Sequence, residues 1–298
     1  MSMLRDGFSA TDRLQLAYLG ALATLAAATH PHPLPVLLTI GAIALLIVTS
    51  AFSASRTPRA RVVHDFMPVF GVIAIFDVSG TVIAAANTQR WDPTLAALDR
   101  SLFGALPDLW MGLLGRPAWL TDIASILYAS YYVIPVVLGV TLYRRGLRRE
   151  FDHFVFTVVA TFLLSYVGYW LMPAYGPRVP VHEEAVRLGG GAVSEGLRAF
   201  LAVAELNQLD AFPSGHTALS LVFVWLGWRR FPRWRLLLVL FAAGIVFSAV
   251  YLSLHYVVDI FAGVALAALM PFLAPRLEHW FELDSTAAGR SGAVSGRR

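Results

Sequence analysis

The chain has 298 residues, of which 57% are hydrophobic and 14% charged, and its mean hydropathy is +0.65. Soluble globular chains carry roughly 25% charged residues, so this composition excludes a water-soluble enzyme and describes one body dissolved in lipid. The sequence has no cysteine, which excludes disulfide frameworks, thiolate metal sites and a cysteine nucleophile; all 23 basic residues are arginine, so a phosphate contact must use Arg, His or backbone N–H.

A bilayer-crossing helix needs roughly 17–25 apolar residues. Eight runs qualify, the first over 14–29. That run is short and Ala-rich, and Ala26-Ala27-Ala28 resembles a signal cleavage site. Asp6 and Asp12 dilute the positive charge a signal peptide carries, so it is read as an uncleaved span. The next runs cover 34–52 and 66–86. Asp77 lies in the middle of the third, where a charge calls for a partner; a functional role and a structural hydrogen bond both fit. Residues 87–117 carry Trp91, Leu95, Leu98, Leu102 and Phe103, with Asp92, Asp99 and Arg100 between them. That spacing predicts an amphipathic helix lying on the outer interface.

The fourth and fifth spans cover 118–143 and 152–173. Tyr128, Tyr131 and Tyr132 in the fourth fit either a substrate cavity or helix packing and interfacial anchoring. Asp122, near the outer interface, needs no special role. Residues 174–212 hold Gly189-Gly190-Gly191 and a short helical pattern from Leu197 to Leu206; the glycines read as a flexible connection or as a lid hinge. Spans at 214–231, 236–254 and 256–275 complete the set. The whole divides into N-terminal membrane helices (1–86), the outer helix (87–117), a membrane core (118–275) and a cytoplasmic tail (276–298), whose Gly/Ser/Ala/Arg composition from Asp284 predicts disorder. The fold class is thus all-α integral membrane protein.

Arginine placement sets the orientation. Connections carrying Arg56, Arg59 and Arg61, then Arg144, Arg145, Arg148 and Arg149, then Arg229, Arg230, Arg233 and Arg235, fall with both termini on one side, which holds 17 arginines against 6 on the other. Both termini are therefore expected in the cytoplasm of a multi-pass cell-membrane protein. The cytoplasmic arginines suit anionic inner-leaflet lipid, not nucleic acid.

By this topology three stretches share the outer face. They are Pro173-Ala174-Tyr175-Gly176-Pro177-Arg178, then Phe212-Pro213-Ser214-Gly215-His216, then His255-Tyr256-Val257-Val258-Asp259. Ser214 and Gly215 open a helix whose first N–H groups and positive dipole end suit an anion. Arg178 offers a bidentate phosphate contact. His255 and Asp259, four apart, are expected on one helical face; Asp259 then fixes the imidazole tautomer and leaves the other nitrogen to attack phosphorus. His216 protonates the leaving oxygen, with roles reversed for the incoming water or alcohol. His30, His32 and His64 form no metal site, since His64 falls on the opposite face, and no P-loop, dinucleotide or zinc motif occurs.

Phe212-Pro213-Ser214-Gly215-His216 followed by His255-xxx-Asp259 resembles the second and third signature motifs of the type 2 phosphatidic acid phosphatase superfamily, over roughly residues 120–275. The resemblance implies a six-helix-type phosphatase core, no cofactor and no metal. It also implies His255 as nucleophile through a phosphohistidine, His216 as acid/base, Asp259 as the orienting group, and Ser214 and Gly215 as phosphate-binding positions. Leu171 stands where the first motif has Lys, Val179 follows Arg178 where it has Pro, and Ser248-Ala249 replaces the Ser-Arg of the third. Tyr251 to Asp259, followed by Gly263, is similar to the inositol phosphorylceramide synthase branch, which also lacks that arginine.

The expected function is a metal-independent membrane phosphohydrolase or phosphotransferase acting at the outer face on a lipid phosphate or phospholipid. Water and a lipid alcohol both fit as acceptor, the alcohol giving a head-group transferase of the inositol phosphorylceramide synthase type. A lipid-binding or transport protein on the same scaffold is the non-enzymatic alternative; the polar cluster at one face, rather than at broken mid-membrane helices, disfavours it.

Overall fold

The computed structural model describes residues 8–104, 114–115, 117–177, 190–204 and 206–294. Those residues form helices and the turns between them and contain no strand. In chain order the helices are α1 (Ala10–Thr29), α2 (Pro33–Ala54), α3 (Pro58–Ala86), α4 (Asp92–Phe103), α5 (Ala118–Arg144), α6 (Arg148–Leu171), α7 (Ala192–Ala204), α8 (Gly215–Arg230), α9 (Arg235–Tyr251) and α10 (Val257–Val294). Six are long and apolar enough to cross a membrane: α2, α3, α5, α6, α9 with its preceding turn, and α10 as far as Glu282. The expectation of eight spans is therefore approximate. The other two expected spans are α1, with 20 residues and one exposed face, and α8, which is largely buried; α8 has 16 residues, about 24 Å at 1.5 Å per residue.

Local signals start and stop these helices. α1 begins with a capping box: the Ser9 hydroxyl accepts from Asp12 N at 3.1 Å and Ser9 N donates to the Asp12 carboxylate at 2.7 Å, so two otherwise orphaned donors are satisfied. Proline opens α2 and α3 at their first turns, where its missing N–H costs nothing. α10 does not stop near residue 275. As far as Phe281 it packs on the bundle, where Phe281 is buried against Phe156 and Glu278 meets His153, and the helix runs on to Val294.

Ion pairs and polar contacts knit one end of the bundle. Asp65 binds Arg148 bidentately, with Nη2 to Oδ1 at 2.7 Å. His153 meets Glu278 at 2.6 Å, Arg230 meets Glu150 at 3.0 Å, and His64 meets Asp12 at 3.4 Å. Arg13 donates to the Phe281 carbonyl at 2.8 Å. The arginine-rich connections thus share one end, around a cavity of about 390 Å³ lined by Arg13, Arg61, His64, Asp65, Arg148 and Glu278, among others. Residues 173–177, 211–216 and 255–259 lie at the starts or ends of helices pointing the other way, and meet at the opposite end.

Candidate active site

Helix packing brings the three motif stretches together. After α6 ends at Leu171, the chain turns through Gly176, whose φ of +81° is a left-handed conformation suited to glycine. A Cβ there would stand 2.5 Å from the Leu254 carbonyl, so the first motif stretch rests directly on the residue before His255. Ala211 N donates to the Ala174 carbonyl at 3.1 Å, which ties the approach to α8 to the same loop. Gly263 of α10 faces Ser214: a Cβ at 263 would come within 2.5 Å of the Ser214 carbonyl. Ser214 N in turn donates to the Asp259 carbonyl at 3.0 Å.

Of the residues expected at the site, His216, His255, Asp259, Ser214 and Gly215 are brought together. Arg178 lies outside the described residues. Nε2 of His255 faces Nδ1 of His216 at 3.5 Å. Nδ1 of His255 is 2.8 Å from the Ala211 carbonyl and 3.5 Å from Oδ2 of Asp259. A carbonyl can only accept, so Nδ1 carries the proton and Nε2 presents its lone pair to His216.

The placing of that proton differs in detail from the sequence expectation. α10 begins at Val257, so His255 precedes the helix and shares no helical face with Asp259. Instead the 252–256 turn folds back on α9, with Leu254 N and His255 N both donating to the Ala249 carbonyl at 3.0 and 3.1 Å. The closest group to Nδ1 is a main-chain oxygen. Asp259 is also bound by Tyr256 N at 2.8 Å, which locks the carboxylate beneath the histidine.

Ser214 is the N-cap of α8, its hydroxyl accepting from Thr217 N at 3.3 Å. The missing side chain of Gly215 makes room for Tyr169, whose hydroxyl would lie 2.6 Å from a Cβ. The first turn of α8 supplies the unpaired N–H groups of any helix start. The equivalent amides of α10 are occupied: Val257 N and Val258 N donate to Asp99 at 3.2 and 2.8 Å, and Tyr256 N to Asp259.

Two groups of contacts were not foreseen. Tyr128 stacks on His216 with centroids 4.4 Å apart and its hydroxyl 3.3 Å from Nδ1, while Tyr131 covers another side at 4.2 Å. Tyr132 turns away to meet Phe200 of α7 at 5.8 Å. Within this cluster Tyr128 and Tyr131 pack on His216 and Tyr132 packs on Phe200. The second group is on α4. Asp92 accepts from Tyr175 N at 3.1 Å, Gly176 N at 2.8 Å and the Tyr256 hydroxyl at 3.4 Å, and Trp91 N donates to the Pro173 carbonyl at 3.0 Å.

Other sequence features also find partners. Asp122 caps α7, accepting from Gly191 N and Ser194 N at 3.1 and 2.9 Å. Asp77 accepts from Leu206 N at 3.2 Å, the structural hydrogen bond of its two readings. Among the described residues no three His, Cys, Asp or Glu side chains converge to hold a metal ion.

Chemically, the site pairs a lone-pair imidazole nitrogen with a second imidazole in hydrogen-bond reach, beside a helix start suited to an anion. The chain belongs to the PAP2 superfamily, whose model matches residues 93–273. The match begins inside α4 and ends in α10, so it takes in Ser214, Gly215, His216, His255 and Asp259, while Trp91 and Asp92 lie just before it. Over 224 residues the chain is 28% identical to phosphoinositol dihydroceramide synthase of Bacteroides thetaiotaomicron, an alignment covering 66% of this chain and 72% of that protein. No solved structure matches it.

Proposed function

We propose that this protein is a cell-membrane phosphotransferase that moves a phosphorus-bearing group of a lipid to an acceptor through a covalent histidine intermediate. The observation that carries this is the His255–His216 pair, with Nδ1 of His255 protonated against Ala211 and Nε2 directed at its neighbour. Nε2 attacks phosphorus, the bond from phosphorus to the leaving oxygen breaks, and His216 gives that oxygen its proton. An acceptor O–H then returns a proton to His216 and attacks phosphorus, and the P–N bond breaks to regenerate His255. Arg178 and the first turn of α8 hold the non-bridging oxygens, and no metal takes part.

The likeness to a phosphoinositol dihydroceramide synthase favours a phospholipid donor and a lipid alcohol acceptor. A phosphodiester carries less charge than a monoester, which fits a site with Leu171 and Ala249 in place of two family cations. Hydrolysis shares the first half-reaction and is the second reading. The arginine excess at the opposite end of the bundle supports an external site with cytoplasmic termini.

The test is purified protein with a panel of lipid phosphates and phospholipids, with and without lipid alcohols. Head-group transfer that needs the alcohol, and a phosphorus-labelled histidine lost in His255→Ala, are expected. If His255→Ala and His216→Ala both retain wild-type phosphate release and transfer, the enzymatic reading is wrong.

A further inference from the structure

The two carboxylates of α4 make contacts that reach beyond the family's motif residues. Asp92 and Asp99 are seven residues apart, two turns along one helix, and so share a face with Leu95 between them. All three are buried, whereas Leu98 and Leu102 are exposed at 44% and 62%. The helix therefore turns its carboxylates inward and two leucines outward, the reverse of an ordinary interfacial helix. Each carboxylate accepts backbone N–H groups from a different motif stretch. Asp92 takes Tyr175 and Gly176, three and two residues before Arg178 in sequence, and also meets the Tyr256 hydroxyl. Asp99 takes Val257 and Val258, two and three residues after His255. Leu95 packs in one cluster with Ala174, Ala211, Tyr256 and Val258.

We infer that Asp92 and Asp99 are positioning residues, and that α4 sets the spacing between the Pro173–Gly176 loop and the His255–Asp259 turn. The inference rests on the proposed reaction for its catalytic consequence. Charge-assisted bonds from a carboxylate to backbone N–H are about twice as strong as neutral ones. A single rigid helix carrying both acceptors adds a brace between two chain segments that also meet where Gly176 rests on the Leu254 carbonyl. Asp99 also occupies the first amides of α10, so an anionic substrate group is directed to the start of α8.

The experiment uses the full chain in detergent or nanodiscs, with Asp92→Asn and Asp99→Asn. Each exchanges one acceptor oxygen for a donor while keeping shape. Backbone hydrogen exchange is read in peptides covering 173–177 and 255–259, and kcat and KM are read on the best substrate of the panel. Expected is faster exchange in 173–177 for Asp92→Asn and in 255–259 for Asp99→Asn. The kcat per folded molecule should fall roughly tenfold or more, since small misplacements of reacting groups cost on that scale.

Unchanged exchange in both peptides overturns the inference. So does faster exchange with kcat per folded molecule intact, because the carboxylates then brace the loops without placing the chemistry. If wild type and His255→Ala are equally inactive on every substrate, the proposed reaction fails; the exchange pattern then still shows whether each carboxylate holds its segment.

Discussion

The ring of Tyr128 lies over the ring of His216, with centroids 4.4 Å apart at 29° and the phenol oxygen 3.3 Å from Nδ1. Its hydroxyl and its aromatic face act on the same imidazole. Tyr128→Phe keeps the face and removes the hydroxyl, so the loss is one hydrogen bond to a group that charges during turnover. A bond of that kind contributes about 1.5–3 kcal/mol, and kcat is expected to fall by roughly tenfold or more. Tyr128→Ala is expected to fall further. Steady-state assay of both variants, with thermal unfolding to confirm folding, checks this.

Asp259→Asn is expected to be milder than His255→Ala. The Ala211 carbonyl still accepts from Nδ1 at 2.8 Å, so the nucleophilic nitrogen keeps its lone pair. What weakens is the support of the imidazolium-like intermediate. Labelled phosphohistidine should still form in Asp259→Asn, more slowly, and not at all in His255→Ala; equal absence in both variants would count against the carbonyl's role.

Gly263→Ala sets a methyl 2.5 Å from the Ser214 carbonyl and 3.0 Å from Cβ of Thr217. The nearest obstacle is backbone and cannot swing away. Overpacking of this kind costs about 1–3 kcal/mol, and here the displaced atom belongs to the N-cap of α8. A lower melting temperature together with a lower kcat is expected. Gly20→Ala, with nothing within 4 Å of the new methyl, is the control and should leave both near wild type.

The Arg148–Asp65 pair lies at the opposite end and should govern stability alone. The Asp65 side chain is 1% exposed and that of Arg148 43%. Arg148→Ala leaves a buried carboxylate without its bidentate partner. Fully buried pairs lose about 3–5 kcal/mol when broken; with Arg148 partly in solvent, a loss on the order of 2 kcal/mol is expected. Thermal unfolding should show it, while kcat of the folded fraction stays unchanged.

Orientation is tested by accessibility tags. A tag at Ser285 should be reached only from the cytoplasm and one at Gly190 only from outside. The reverse labelling would move the histidines to the inner leaflet.

Much of this site is readable in the chain because it depends on short spacings. Pro213-Ser214-Gly215-His216 and His255-xxx-Asp259 are local patterns, and the intervening hairpin of helices returns them to one depth. The arginine-rich connections are local patterns too, and they gather at the opposite end of the bundle. The Ala211 carbonyl on His255 is different, being 44 residues away and invisible to any scheme that counts side chains. Asp99 reaches Val258 across 159 positions. Both carboxylates of α4 read as the polar face of a surface helix, because amphipathic spacing says where polarity repeats but not which face turns inward. One clue was present: Asp92, Leu95 and Asp99 fall on a single face.

Ala211 has a consequence for how this chemistry can be moved or mapped. Its oxygen survives every substitution at that position, so a scan that shortens side chains one at a time passes over it. A designer who transplants His216, His255 and Asp259 onto another helical scaffold carries the letters across but leaves behind the proton's address. That address is written in the main chain at Ala174 and Ala211, which are tied to each other by one backbone hydrogen bond, and only a scaffold that reproduces this tie inherits a histidine with the same nitrogen bare.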